Sequence, residues 1–346
     1  MRALQYLRIG GEPELVEVED PTPGPGQVLL EVTAAGACHS DTFIMGLPSE
    51  QYTFGLPLTL GHEGAGRVSK VGEGVTDCPV GMDVVVYGPW GCGRCWQCAR
   101  GMENYCARAA ELSIAPPGLG APGAMADFMI VESPRHLVPI GDLDPVRTVP
   151  LTDAGLTPYH AIKRSLGKLR VGGTAIVIGV GGLGHTAIQL LRHMSPARVV
   201  AVDLSQDKLD LAEKVGAHET VISNSEAAEH IRKITGSRGA DVVFDFVGYQ
   251  STLDISMAVA GTESDVQIVG LGDGQAAARV GFFTGAYETN VSAPYWGGRD
   301  ELIELVELAE QDVLQIEVET FPLSDAAEAY RRLTAGTLTG RAVVVP

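Results

Sequence analysis

The sequence predicts an α/β protein: an irregular, mainly β domain, then a doubly wound parallel sheet, then a tail that rejoins the first domain. Three observations carry this. Short alternating apolar runs, broken by Gly and Pro turn signals, fill the chain to about residue 150. From about residue 155, apolar strands alternate with helical patterns, the rhythm of a parallel sheet with right-handed crossovers. After about residue 288 that rhythm stops. The expected domains are 1–152, 153–287 for the sheet and 288–346 for the return.

Taken in chain order, alternating runs at 27–32, 66–71 and 82–86 read as strands. Residues 174–179 (TAIVIG) read as a buried strand, and 183–194 as the helix behind it. Strands at 198–202, 220–222, 241–246 and 265–270 follow, with helices at 206–215 and 226–235. Residues 300–311 (DELIELVELAEQ) have the spacing of an amphipathic helix, with Asp300 as its cap. Residues 324–330 open a further helix with a capping-box-like start, and 340–345 (GRAVVV) form a last strand.

The 346 residues suffice for two domains, and 45% hydrophobic with 20% charged residues is ordinary for a globular protein. The formal net charge of −18 repels nucleic acid and anionic membrane, so neither is an expected partner. The N-terminus carries no apolar leader, and no stretch is continuously apolar over a membrane's width. A cytoplasmic protein is expected.

Four of the six cysteines, Cys92, Cys95, Cys98 and Cys106, form a C-x2-C-x2-C-x7-C run. Four thiolates so spaced can wrap one tetrahedral zinc with no open position, a structural clamp. An iron–sulfur run is an alternative, but there the fourth cysteine comes sooner and precedes Pro. Free or redox thiols are another. Cys78 lies apart and reads as a small buried hydrophobe. Cys38, in A-C-H-S-D, and His62, in G-H-E-G-A-G, are further zinc-type ligands, and a third must come from elsewhere.

Gly179-Val180-Gly181-Gly182-Leu183-Gly184 follows a strand and opens a helix, the context in which such a loop binds a dinucleotide. The glycines admit the pyrophosphate, and the helix N-terminus supplies N–H donors. Asp203 ends the next strand about 20 residues on, where a carboxylate takes the ribose hydroxyls and repels a 2′-phosphate. NAD is therefore expected over NADP. Lys208 is placed either to assist the ribose or to face solvent.

Gly61-His62-Glu63-x-x-Gly66-x-Val68-x-x-Val71-Gly72 resembles the signature of the zinc-containing medium-chain dehydrogenase/reductase family. Cys38 in its C-H-S-D context, the four-cysteine lobe, the D-A-G-L-T-P-Y segment at 153–159, the glycine loop and the G-R-x-V-V-V strand match in order. The resemblance spans nearly the whole chain and is strongest to bacterial secondary-alcohol dehydrogenases. It implies a GroES-like catalytic domain, a Rossmann-type NAD domain, two zinc ions and a homodimer or homotetramer. It implies Cys38, His62 and Asp153 as ligands of a catalytic zinc; classical members have Cys where Asp153 stands. Read alone, Asp153 is also a plausible helix N-terminal carboxylate.

By the same resemblance, Glu63 is a transient ligand, although a plain salt bridge fits equally, and Asp41 orients the imidazole. Arg341 would reach the pyrophosphate, His39 the cofactor phosphates or ribose, and Phe246, Val247, Val269 and Leu271 would line the nicotinamide. Ser40 would receive the alcohol proton. Classical members end that relay with a His where this chain has Phe43, leaving His39 or water as acceptor.

The implied activity is reversible hydride transfer between a secondary alcohol or ketone and NAD. Phe43, Phe54, Leu119, Tyr295 and Trp296 fall in segments resembling the pocket walls, which suits bulky apolar or aryl groups; as plain aromatics and aliphatics they read equally as core or interface. Primary-alcohol, aldehyde or polyol oxidation is the near alternative, and a non-catalytic zinc- and NAD-binding protein the distant one. Intact Cys38, Ser40, His62 and Asp153 argue against the last.

Overall fold

The structure, a computed structural model, describes residues 1–277 and 285–346, which form two compact units. Met1–Leu156 and Gly297–Pro346 make the first, and Thr157–Trp296 the second.

The first unit opens with β1 (Arg2–Tyr6), β2 (Glu14–Glu17), β3 (Val28–Ala37), the short helix α1 (His39–Met45), β4 (Leu58–Thr59), β5 (Glu63–Val71), β6 (Asp83–Val86), β7 (Phe128–Val131) and β8 (Leu137–Pro139). Helix α2 (Pro145–Thr148) runs into the 3-10 turn Val149–Thr152, which packs on β3, β5 and β6. Strands β2-β1-β4 make a small antiparallel sheet.

Helix α3 (Leu156–Ser165) leads into the second unit. There β9 (Thr174–Ile178), α4 (Gly182–Met194), β10 (Arg198–Asp203), α5 (Gln206–Lys214), β11 (Glu219–Ile222), α6 (Ala227–Thr235), β12 (Ala240–Asp245), α7 (Gln250–Val259), β13 (Ala260–Ile268) and β14 (Asn290–Ser292) follow. The sheet order is β11-β10-β9-β12-β13-β14 and every pair is parallel. The order runs outward from β9 in both directions, so the topological switch lies between β9 and β12, where open α/β sheets take ligands. All five residues of β9 are buried, as a parallel strand covered on both faces requires.

The chain returns with α8 (Arg299–Glu310), β15 (Val318–Pro322), α9 (Ala326–Thr334) and β16 (Arg341–Val345). Strand β16 pairs with β15 and with the far end of β3, completing a sheet of order β15-β16-β3-β5-β6-β8, with β7 also on β3. Leu30, Val32, Val68, Val84, Val86, Tyr330 and Val344 share its core. Among the described residues no helix is long and apolar enough to cross a membrane.

Several local expectations are corrected. The N-cap of α8 is Gly298, not Asp300, which lies inside the first turn. The buried Glu301 reaches back to the Gly298 N–H at 2.8 Å and does the capping from the third position. Helix α9 starts only after the 3-10 turn Leu323–Asp325 and has no side-chain cap. Strand β3 runs on to Ala37 because β16, from the other end of the chain, pairs with residues 35–37.

A Cβ at Gly184 would collide with the backbone carbonyl of Gly179, which has no room to yield, whereas one at Gly181 meets nothing within 4 Å. In denaturant unfolding without cofactor, Gly184→Ala is expected to cost roughly 2 kcal/mol or more, and Gly181→Ala less than about 1 kcal/mol. Equal costs would contradict this account of the loop.

Candidate active site

Strands β3 and β5 pair antiparallel with Gly36 opposite Glu63. That register sets Cys38, just past β3, beside His62, just before β5. A side chain at Gly36 would strike the Glu63 carboxylate, so glycine is required there. Asp153 is delivered separately, at the end of the 3-10 turn Val149–Thr152. Its Oδ2 lies 3.2 Å from Cys38 Sγ and 3.7 Å from His62 Nε2. All three residues are buried, and with Glu63 their ligand atoms fall within 4.8 Å of one another. Metal–ligand arms of 2.0–2.3 Å separate tetrahedral neighbours by about 3.3–3.8 Å, so a thiolate, an imidazole and a carboxylate at these spacings suit one zinc with a position left open.

Cys38 is also the N-cap of α1, so His39, Ser40 and Asp41 form the helix's first turn. Asp41 has no exposed surface, and its Oδ1 lies 2.8 Å from His62 Nδ1. An ionised carboxylate only accepts, so Nδ1 carries the proton and Nε2 faces the set. Burial works against a charged ring, but Asp41 and Asp153 outweigh it and hold His62 well above the usual histidine range. Ser40 is half-buried, with its Oγ 3.7 Å from Cys38 Sγ, and His39 is exposed.

Arg341 is buried in the same place. Its Nη2 donates to Asp153 Oδ2 at 2.9 Å and also pairs with Glu63 Oε1, while its Nε donates to Glu63 Oε2 at 3.2 Å. The resemblance assigned this arginine to a phosphate; here its guanidinium is engaged by the two carboxylates. Glu63 has both features its alternatives required, a salt bridge to Arg341 and an Oε1 only 3.9 Å from His62 Nε2.

The four-cysteine lobe closes on itself. Cys95 Sγ lies 3.4 Å from Cys98 and 4.0 Å from Cys106, and Cys92 Sγ is 3.9 Å from Cys98. A tetrahedron with zinc–sulfur arms of 2.3 Å has edges of about 3.8 Å, so these sulfurs fit one closed site. Backbone N–H groups of Cys98 and Ala107 draw the Cys95 thiol down to about 6, while burial and the neighbouring sulfurs push Cys98 up to about 12. A cation resolves that conflict by taking all four as thiolates. Glu103 braces the lobe, accepting from Gly91 N at 2.8 Å and Arg135 at 3.0 Å. Burial raises its pKa, yet His136 and Arg135 hold it down to about 2. Cys78 is buried and its thiol is pushed up by burial, as an inert hydrophobe should be.

In the second unit, Asp203 ends β10 and its Oδ2 accepts from Val180 N at 2.7 Å, tying the carboxylate to the glycine loop. Gly181, at the N-cap of α4, has open space where a Cβ would stand, as a loop made for close approach of a pyrophosphate should. Asp245, buried at the end of β12, accepts from the N–H groups of Val247 and Gly248, each at 2.9 Å. Gly248 and Gly270 meet backbone to backbone, so the loops carrying Phe246 and Val247, and Val269 and Leu271, sit side by side at the strand ends.

Comparison with known proteins agrees with this geometry. The alcohol dehydrogenase GroES-like domain matches residues 24–142, and the zinc-binding dehydrogenase domain residues 182–311. An NAD-dependent alcohol dehydrogenase of Sulfurisphaera tokodaii is 32% identical over the whole of both chains. The chain belongs to the zinc-containing medium-chain dehydrogenase/reductase family. A D-arabinose 1-dehydrogenase (NADP(+)) of Saccharolobus solfataricus is 31% identical over 98% of this chain and 96% of its own. The alcohol dehydrogenase of Aeropyrum pernix superposes with a TM-score of 0.91 at 32% identity across both full chains. An acetophenone reductase of Geotrichum candidum in complex with NAD does so at 0.87 and 29% identity, over all of this chain and 97% of its own. This dehydrogenase is an enzyme whose cofactors are two zinc ions and NAD.

The remaining sequence-predicted residues of the dehydrogenase fall in both units. Phe43 is 45% exposed on α1, while Phe54 and Leu119 flank the apolar core of the first unit. Tyr295 and Trp296 belong to the second unit and meet edge to face at 6.0 Å, with Trp296 buried. Lys208 is half-buried on α5, and Leu271 is exposed. Sequence reading missed Asp245 and Glu103, although a carboxylate closing a Val-rich strand was a usable signal for the first. It also missed Tyr330, whose hydroxyl donates to Asp41 Oδ2 at 2.9 Å across 289 residues; nothing local marks it.

Metal analysis is expected to find two zinc ions per wild-type chain and one in Cys95→Ser or Cys38→Ala. Cys95→Ser should melt the lower of the two, because the regular structure of its lobe is two short 3-10 turns, Cys98–Arg100 and Glu103–Tyr105, whereas Cys38 and His62 flank strands that are already paired. Unchanged metal content in either variant would remove that residue from its site.

Proposed function

We propose that the enzyme catalyses reversible hydride transfer between secondary alcohols, including bulky apolar or aryl ones, and NAD. Cys38, His62 and Asp153 hold the catalytic zinc, and Cys92, Cys95, Cys98 and Cys106 the structural one. The observation that carries the reading is the buried Cys–His–Asp set with the Ser40 hydroxyl at its edge, 3.7 Å from the Cys38 sulfur. When bound, zinc supplies a Lewis acid for the substrate oxygen and NAD the hydride acceptor.

Ser40 takes the hydroxyl proton as the alcohol carbon gives up hydride, so the products are ketone, NADH and a proton. With Phe43 where other members end the relay, the exposed His39 or solvent receives that proton. Gly181, Gly182, Leu183 and Gly184 seat the pyrophosphate, Asp203 the ribose, and Phe246, Val247, Val269 and Leu271 the nicotinamide end. Arg341 and Glu63 balance charge around the metal set. The apolar character of Phe43, Phe54 and Leu119 supports bulky apolar substrates, as does similarity to a protein named acetophenone reductase. Six cysteines with no disulfide among them, five of them assigned to zinc, fit a reducing cytoplasm, where we place a homodimer or homotetramer.

Similarity to a D-arabinose 1-dehydrogenase favours a second reading, oxidation of a sugar or polyol. Steady-state assays with 1-phenylethanol, 2-butanol, ethanol, sorbitol and D-arabinose separate the two. The secondary alcohols are expected to show the highest kcat/KM with NAD, and a preference for arabinose would reverse the assignment. Ser40→Ala should lower turnover about 100-fold with both zinc ions retained. Near-normal turnover at neutral pH would eliminate the relay.

A further inference from the structure

We propose that Tyr330 is a positioning residue for the catalytic metal, its hydroxyl clamping Asp41 so that His62 and Cys38 are both held on target. This rests on the reading of Cys38, His62 and Asp153 as the metal set.

The Asp41 carboxylate makes three bonds among the described residues. Oδ1 meets His62 Nδ1 at 2.8 Å, while Oδ2 accepts from Tyr330 at 2.9 Å and from the Cys38 N–H at 3.2 Å. One carboxylate thus orients the ring of one ligand and the backbone of another. Its own orientation depends on the donors to Oδ2, and the tyrosine hydroxyl is the shorter of the two. Tyr330 is itself buried. Helix α9 sends Ala326, Ala329, Tyr330 and Leu333 inward, and the phenol is the one polar group among them. A phenylalanine would fill the same apolar space, so packing alone does not call for the hydroxyl, and a buried hydroxyl is costly without a partner. Without it, Oδ2 keeps only the longer amide bond. The carboxylate can then turn, and His62 loses the anchor that fixes its tautomer and angle. The last helix of the chain is in this way tied to a metal set whose members all lie before residue 154.

Tyr330→Phe is the test, because it deletes one oxygen and keeps the ring. Chelator competition followed by metal analysis reads both zinc sites of the same chain, so the structural zinc is an internal reference. The catalytic zinc is expected to bind about tenfold more weakly, the lower end for outer partners of a metal ligand, with the structural zinc unchanged. After zinc saturation, kcat is expected to fall while KM for NAD holds. Equal loosening of both zinc ions, or a much lower melting temperature with zinc loaded, makes Tyr330 a core residue only and overturns the proposal, as does unchanged affinity. Cys38→Ala separates this from a failure of the site itself. If it leaves both zinc ions in place, the metal set falls and the proposal with it. If it removes one and Tyr330→Phe changes nothing, the role of Tyr330 alone is rejected.

Discussion

Asp41 is a carboxylate without exposed surface, placed next to a thiol, an imidazole and, one residue-shell further, two more carboxylates and a guanidinium. An unanswered charge in such a place costs several kcal/mol, so every polar atom around it has to be answered by another. The tyrosine hydroxyl, the Cys38 N–H and the His62 ring answer Asp41. Arg341 answers Glu63 and Asp153. What remains facing inward is a thiol sulfur, an imidazole nitrogen and a carboxylate oxygen, a set whose natural counter-charge is a divalent cation. The same logic governs the cysteine lobe, where four sulfurs crowd together and Arg135 and His136 hold Glu103 ionised behind them.

The second unit solves a different problem, that of bringing backbone close to a large anionic ligand without leaving side chains in the way. Gly184 lets the start of α4 lie against the Gly179 carbonyl, and Gly248 and Gly270 let two strand-end loops touch. Gly181 faces open space. Asp203 and Asp245 pin the loops through backbone N–H bonds, converting flexible glycine-rich turns into a fixed frame. Both oxygens of Asp203 take part, Oδ2 accepting from Val180 N and Oδ1 from Ser205 N.

Much of this was legible in the sequence, for reasons tied to range. The strand–helix alternation, the closed cysteine spacing and the glycine loop with Asp203 are all encoded within short stretches, where period and turn chemistry act directly. Strand ends were less legible. The far end of β3 owes its length to β16, and α8 is capped by Glu301 reaching back to Gly298 and not by the expected Asp300. Helix α7 went unread because its Ser, Thr and small residues carry little 3.6-residue periodicity. Asp153 reads as the start of the sheet domain, yet its turn packs on β3, β5 and β6 and belongs to the first unit.

By itself the sequence determined the local chemistry: a closed four-thiolate clamp, a dinucleotide loop that prefers NAD, and a list of residue types suited to a second zinc. Spacing in the chain suffices for these because each is made by neighbours. Only the tertiary structure decided which distant residues share the open site. Cys38, His62 and Asp153 converge because β3 pairs with β5 and a 3-10 turn packs beside them. Arg341 joins their carboxylates because β16 pairs with β3. Tyr330 reaches Asp41 because α9 packs over α1. Non-local pairing is set by the burial of whole faces, and no window of sequence contains it.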